Sequence, residues 1–172
     1  MKHMKGLKFL LLAVIAIGAY SCFNNDVVDE DPIDYTPTRE ATLLTEYLDT
    51  LVKRGFDVDT ADVGIYYVIT KEGEGGYTQL GDSIGLEYTG FRPDNNSVFD
   101  ASSYWHEDGL WNFRFNQGEL IPGFTEALKL MNKGTEGLFI IPSELAYGST
   151  GNNSIPPYTT LAFELKLIDI YE

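Results

Sequence analysis

The 172-residue chain offers few groups for covalent or metal chemistry. Its one cysteine is Cys22 and its two histidines are His3 and His106, so no Cys/His cluster of the zinc-binding kind exists. Gly73, Gly75 and Gly76 are not followed by Gly-Lys-Ser/Thr, so they do not make a phosphate loop. What recurs instead is a large apolar or aromatic side chain beside an isolated polar group: Tyr88, Phe99 next to Asp100, Phe113, Leu120-Ile121, and Phe124. In Glu144–Leu165, Tyr147 and Ile155 bracket the polar loop GSTGNNS, and Phe163 follows in an alternating strand. These residue types suit a shaped apolar pocket with one or two hydrogen bonds. The competing reading is that they only seal a core, the ordinary fate of such residues at strand or helix spacing.

The elements that must position them can be read from period and punctuation. Thr36 suits a helix N-cap, with Pro37 at the first helical position. Leu44, Tyr47, Leu48 and Leu51 then recur at helical spacing, and Gly55 suits a stop. This stripe predicts an N-terminal helical extension over residues 38–57 that packs on the main domain or on a partner. From about Asp62 the pattern turns to β. SIGLEYTGFR alternates and breaks at PDNN, VFDAS is short, and WNFRFNQG alternates again. IPGFTEALKLMNKG reads as one helix, with Pro122 at its start, Phe124, Ala127, Leu128 and Met131 in a stripe, and Gly134 after its end. TEGLFIIP and TTLAFELKLIDIYE are further strands, the last turning Leu161, Phe163, Leu165 and Leu167 inward. Strands around one short helix predict an α+β domain over residues 62–172.

The strings EYTG (87–90), VFDAS (98–102), FRF (113–115), LIPGF (120–124), LAYG (145–148) and IPPYTTLAFEL (155–165) carry a resemblance. Their order and approximate spacing resemble the FK506-binding-protein (FKBP) family of peptidyl-prolyl isomerases, over about residues 62–172. The resemblance implies a twisted antiparallel β-sheet wrapped around a short helix. It implies an isomerase that acts on proline-containing polypeptides without cofactor or metal, and a pocket for an FK506- or rapamycin-type ligand. It places Tyr88, Phe99, Asp100 and Tyr147 in the catalytic set. Phe113, Leu120, Ile121, Phe124, Ile155 and Phe163 would bind substrate, with Phe124 as the pocket floor. The Ile121 backbone N–H and the Tyr147 hydroxyl would hold the carbonyls flanking the proline, and Asp100 would pair with Tyr88 at the wall.

The chain departs from the family pattern in four places. Phe124 stands where the floor is usually Trp. No Lys or Arg lies between Asp100 and Arg114 to pair with Asp100, as an Arg often does. The segment SSYWHEDGLWNF is a few residues longer than usual; its Tyr104, Trp105 and Trp111 are expected to pack over the loop itself, and would otherwise be free to grip an extended chain. The 148–154 loop is slightly short. An alternative function follows from these departures: a lipid-anchored polypeptide-binding or chaperone module with little isomerase activity.

The N-terminus reads as a processing signal. MKHMKGLK is basic, and FLLLAVIAIGAY is apolar but short for a membrane span. Ser21-Cys22 then resembles a bacterial lipoprotein cleavage point, with residues 1–21 as signal peptide and Cys22 as the lipidated residue. Residues 22–37 are acidic and contain Pro32 and Pro37, which predicts a disordered tether. The expected location is the bacterial cell envelope, on the periplasmic or outer-surface face, held to the membrane through lipid on Cys22. Net charge is −14, which argues against nucleic acid as a partner.

Overall fold

The computed structural model describes residues 33–116, 118 and 120–171. The expected signal, the Cys22 lipidation point and most of the acidic tether lie outside the described residues.

Helix α1 spans Pro37–Lys53. The Thr36 hydroxyl accepts from the Arg39 N–H (3.2 Å), so the cap read from sequence is formed. Gly55, at φ +89°, provides the left-handed turn that ends the helix. Short strand β1 (Asp59–Thr60) pairs with β2 (Tyr66–Lys71). After β3 (Glu74–Tyr77) comes the long strand β4 (Ser83–Arg92), then β5 (Ser97–Ala101). A single helical turn, α2 (Ser102–Trp105), separates β5 from β6 (Trp111–Arg114). Helix α3 spans Pro122–Lys129, followed by β7 (Asn132–Lys133), β8 (Glu136–Ile141) and β9 (Leu161–Tyr171).

The main sheet is antiparallel, in the order β1-β2-β8-β9-β4-β5, with β6 also on β4. Strand β4 is its axis. One edge pairs with β9 along nearly its whole length. The other edge pairs with β6 at Ser83–Leu86 and with β5 at Thr89–Arg92. The chain between those strands, including α2, therefore sits beside Glu87 and Tyr88.

Period-two alternation divides the faces. Leu161, Phe163, Leu165 and Leu167 turn to the core and are at most 5% exposed. They meet α3 there, with Phe124, Ala127, Leu128 and Met131 in the same cluster. Gly123 allows the approach: a Cβ at that position would stand 2.3 Å from Ile141 Cγ2. The helix is shorter than its stripe predicts. It ends at Lys129, because Asn132–Lys133 instead pair with β3, and Gly134 turns the chain into β8.

The opposite face carries α1. Leu51 is buried, and Leu43, Tyr47 and Leu51 face Phe91, Leu138 and Glu164 across a cleft. Burial, then the charge of Glu164, raises the Tyr47 phenol above its ordinary pKa. The Glu40 carboxylate fixes the helix start, accepting from Ser143 N–H (2.7 Å), Ser143 Oγ (2.6 Å) and Thr160 Oγ1 (2.8 Å). The amphipathic extension thus packs on its own domain. Beyond it, the same face forms a groove of about 590 Å³ between Phe56 and Asp108.

Candidate active site

Tyr88 occupies the gap between β5 and β6, where β4 lacks a strand partner on one edge. Ser102 replaces that partner: its Oγ accepts from the Tyr88 N–H (3.0 Å) and donates to the Tyr88 carbonyl (3.4 Å). Ser102 is only 3% exposed, so this exchange satisfies backbone groups that would otherwise be buried unpaired.

From this point a continuous chain of rings crosses the core edge. Phe113 stacks on Trp111 with centroids 3.8 Å apart. Trp111 meets Tyr88 edge to face at 5.7 Å, and Tyr88 meets Phe124 at 6.1 Å. Phe124 meets Phe163 at 5.0 Å, and Phe163 meets Phe99 at 5.5 Å. Each such contact contributes about 0.5–1.5 kcal/mol beyond area burial. Phe124 and Phe163 are 5% exposed. Tyr88, Phe99, Trp111 and Phe113 are half-buried.

Asp100 lies between Tyr88 and Trp105. The Tyr88 hydroxyl donates to its Oδ2 (2.9 Å), and the Trp105 indole Nε1–H donates to its Oδ1 (2.8 Å). Burial first, then the hydrogen bond and charge of Asp100, then Tyr147, hold the Tyr88 phenol well above the ordinary tyrosine range. It is therefore a protonated donor at any physiological pH.

The 147–158 loop closes on itself. The Tyr147 carbonyl accepts from Gly151 N–H (3.1 Å), and Asn152 and Ile155 exchange backbone hydrogen bonds (2.7 and 2.9 Å). Tyr158 N–H donates to the Gly148 carbonyl (2.9 Å). Ile155 is thereby buried to 2% exposure, while Tyr147 remains half-buried against the core cluster. At the other side, the Ile121 carbonyl caps α3, accepting from Phe124 and Thr125 N–H (both 3.1 Å). Leu120 and Ile121 pack on the same cluster.

Nine of the ten residues expected at the pocket thus lie on one apolar cluster, and the tenth, Asp100, is joined to it through Tyr88. Gly90 and Ser102 also touch this constellation and were not read as site residues, while Trp105 and Trp111 were read only as aromatics of the longer segment. Trp111 carried a usable signal, since it shares a strand face with Phe113 at i, i+2. The expectation that the three insert aromatics pack over their own loop is corrected: Trp111 lies in the ring chain, whereas Tyr104 and Trp105 are 63% and 73% exposed. The reason is that Trp105 spends its N–H on Asp100, which holds the indole beside that carboxylate.

A family model for the FKBP-type peptidyl-prolyl cis-trans isomerase matches residues 75–168. The probable FKBP-type peptidyl-prolyl cis-trans isomerase of Haemophilus influenzae is 38% identical over 118 residues, covering 68% of this chain and 47% of that protein. The crystal structure of FkpA from Escherichia coli superposes with a TM-score of 0.63 at 31% identity, covering 77% of this chain and 61% of that one. A peptidyl-prolyl cis-trans isomerase from Pseudomonas syringae pv. tomato gives a TM-score of 0.65 at 27% identity, covering 82% and 100%. The chain spans about half the length of the curated relatives it matches. With the sheet, the helix and the ring-lined site already in place, these matches show that the chain belongs to the FKBP-type peptidyl-prolyl cis-trans isomerase family.

Proposed function

We propose that the protein catalyses cis–trans isomerisation of X–Pro bonds in polypeptides of the bacterial cell envelope, tethered there by lipid on Cys22. The observation that carries the catalytic part is the Tyr88–Asp100 hydrogen bond set against the Phe124–Phe163–Phe99 rings. The anchoring part rests on the basic, apolar and Ser-Cys pattern of the N-terminus.

The chemistry needs no covalent step. Rotation about the imide breaks resonance at a cost of about 18–20 kcal/mol. The twisted imide carries less charge on its oxygen than the planar one, so an apolar, water-poor site favours it. Only interactions stronger in the twisted state accelerate the reaction. A rate gain of ~10⁴ requires about 5.5 kcal/mol of such preference. In this reading Phe124 and Phe163 take the pyrrolidine ring. The Ile121 N–H and the Tyr147 hydroxyl hold the flanking carbonyls. Asp100, fixed by two neutral donors, stands where the reacting carbonyl turns.

The test is the isomerisation rate of short X–Pro peptides with the purified protein, with and without an FK506-type ligand. Acceleration that the ligand suppresses is expected; no acceleration rejects the reading. The exposed faces of Tyr104 and Trp105 favour a second function, capture of extended polypeptide. Loss of client binding in Trp105→Ala but not in Phe124→Ala would support it.

A further inference from the structure

Asp100 is held but not neutralised. Its two hydrogen-bond donors, Tyr88 and Trp105, are uncharged at neutral pH. No Lys, Arg or His among the described residues forms an ion pair with it. The turn that supplies Trp105 contains no Lys or Arg before Arg114, and its His106 forms no ion pair with Asp100. The Asp100 carboxylate therefore keeps its charge beside the 73% exposed indole.

We propose that Trp105 is a specificity-determining residue that makes the site prefer prolyl bonds flanked by Lys or Arg. This rests on the isomerase reading. A carboxylate has about four acceptor positions, so Asp100, with two occupied, keeps capacity for an incoming ammonium or guanidinium. Trp is also the best aromatic partner for a cation over its face. A Glu or Asp beside the proline meets the same carboxylate as a like charge, and so is selected against. An Arg in place of Trp105 would donate to Asp100 equally well but would cancel its charge. The indole thus performs the positioning role of a cationic partner while leaving Asp100 negative.

The test compares kcat/KM of the purified protein on peptides that differ only in the residue before the proline, then only in the residue after it, as Lys, Leu or Glu. At low ionic strength, Lys is expected to exceed Leu by about threefold at one of these positions, on the scale of an exposed cation–π contact. Glu is expected to fall below Leu. Trp105→Arg is expected to bring the Lys-to-Glu ratio to unity or below while the Leu peptide is still turned over. Trp105→Phe, which keeps a ring but loses the N–H, is expected to slow all three peptides and retain a reduced Lys preference. Equal rates for Lys and Glu peptides overturn the inference, as does an unchanged ratio in Trp105→Arg, which would trace the preference to the overall −14 charge. If no peptide is accelerated, the isomerase reading fails separately. Calorimetric binding of the Lys and Glu peptides then decides the selectivity, and equal affinities overturn it.

Discussion

Gly90 lies where Phe99 and Phe163 meet edge to face, and the absence of its side chain is what lets them meet. A Cβ at that position would stand 2.7 Å from Phe99 Cζ and 2.8 Å from Phe163 Cε1. Phe163 cannot retreat freely, because it also contacts Phe124 and is 5% exposed. Gly90→Ala is expected to cost about 1–3 kcal/mol through overpacking. It is also expected to slow isomerisation, because it displaces two rings of the proposed proline site. Urea denaturation and the peptide assay together check this; a variant with unchanged midpoint and unchanged rate would contradict the packing described.

The Tyr88 phenol titrates higher in the folded protein than in the unfolded chain. The direction of the consequence follows from proton binding. Below the ordinary tyrosine pKa both states keep the proton, so Tyr88 adds no pH dependence. Above it the unfolded chain loses the proton first, and stability falls as pH rises toward the folded value. Tyr47 and Tyr67 are also raised and contribute in the same sense. Tyr88→Phe is therefore expected to flatten, without abolishing, the fall in stability above about pH 10. Chemical denaturation midpoints measured from pH 8 to 12 provide the check.

Glu40 ties α1 to the ends of β8 and β9 through three acceptor contacts. Its removal leaves the Ser143 N–H and two hydroxyls without that partner, at about 1–3 kcal/mol. Glu40→Ala is expected to lower stability by that order and to expose α1 to protease. Isomerisation in the absence of denaturant is expected to change little, because α1 packs on the sheet face away from the aromatic chain. Limited proteolysis with the rate measured in parallel separates these effects.

What the sequence made legible follows periodicity. The α1 stripe, the alternation of β4 and β9, and the Phe124–Leu128 stripe all survive in the structure, because burial on one face leaves a repeating mark. The expected pocket residues, nine of which share one apolar cluster, were named through six short strings in order, not through periodicity. What escaped was contact between elements too short to repeat. Helix α2 is a single turn, and four residues carry no period. It nevertheless brings Trp105 back onto Asp100, five residues earlier. The partner of the α1 stripe was open for a related reason: an apolar face says that it is covered but not by what, and Glu40, which anchors α1 from the same face four residues before Leu44, is a carboxylate that an apolar pattern does not count. Helix α3 was read too long because Asn132–Lys133 are claimed by β3, a long-range pairing that local pattern does not encode.

The answer to whether the 148–154 loop only seals a core or shapes something open lies in Gly151. Its φ is +66°, and a Cβ there would stand 2.3 Å from the Ile155 carbonyl oxygen and 2.8 Å from the Pro156 carbonyl carbon. Those neighbours are backbone, so an added side chain forces the loop itself to move. The left-handed conformation adds about 1–2 kcal/mol for a non-glycine residue. The displaced atoms belong to the segment that holds Ile155 in the core and bonds back to Tyr147. Gly151→Ala is therefore expected to shift Tyr147 and Ile155 relative to Phe124 and Phe163. The sheet and α3 do not depend on this loop for their pairing, so the loss of stability should be modest while kcat/KM falls roughly tenfold, about 1.4 kcal/mol of transition-state stabilisation. A rate that falls only in proportion to the unfolded fraction would mean that the loop seals the core and nothing more. A rate that falls in fully folded protein would place Tyr147 and Ile155 at the edge of the reacting proline.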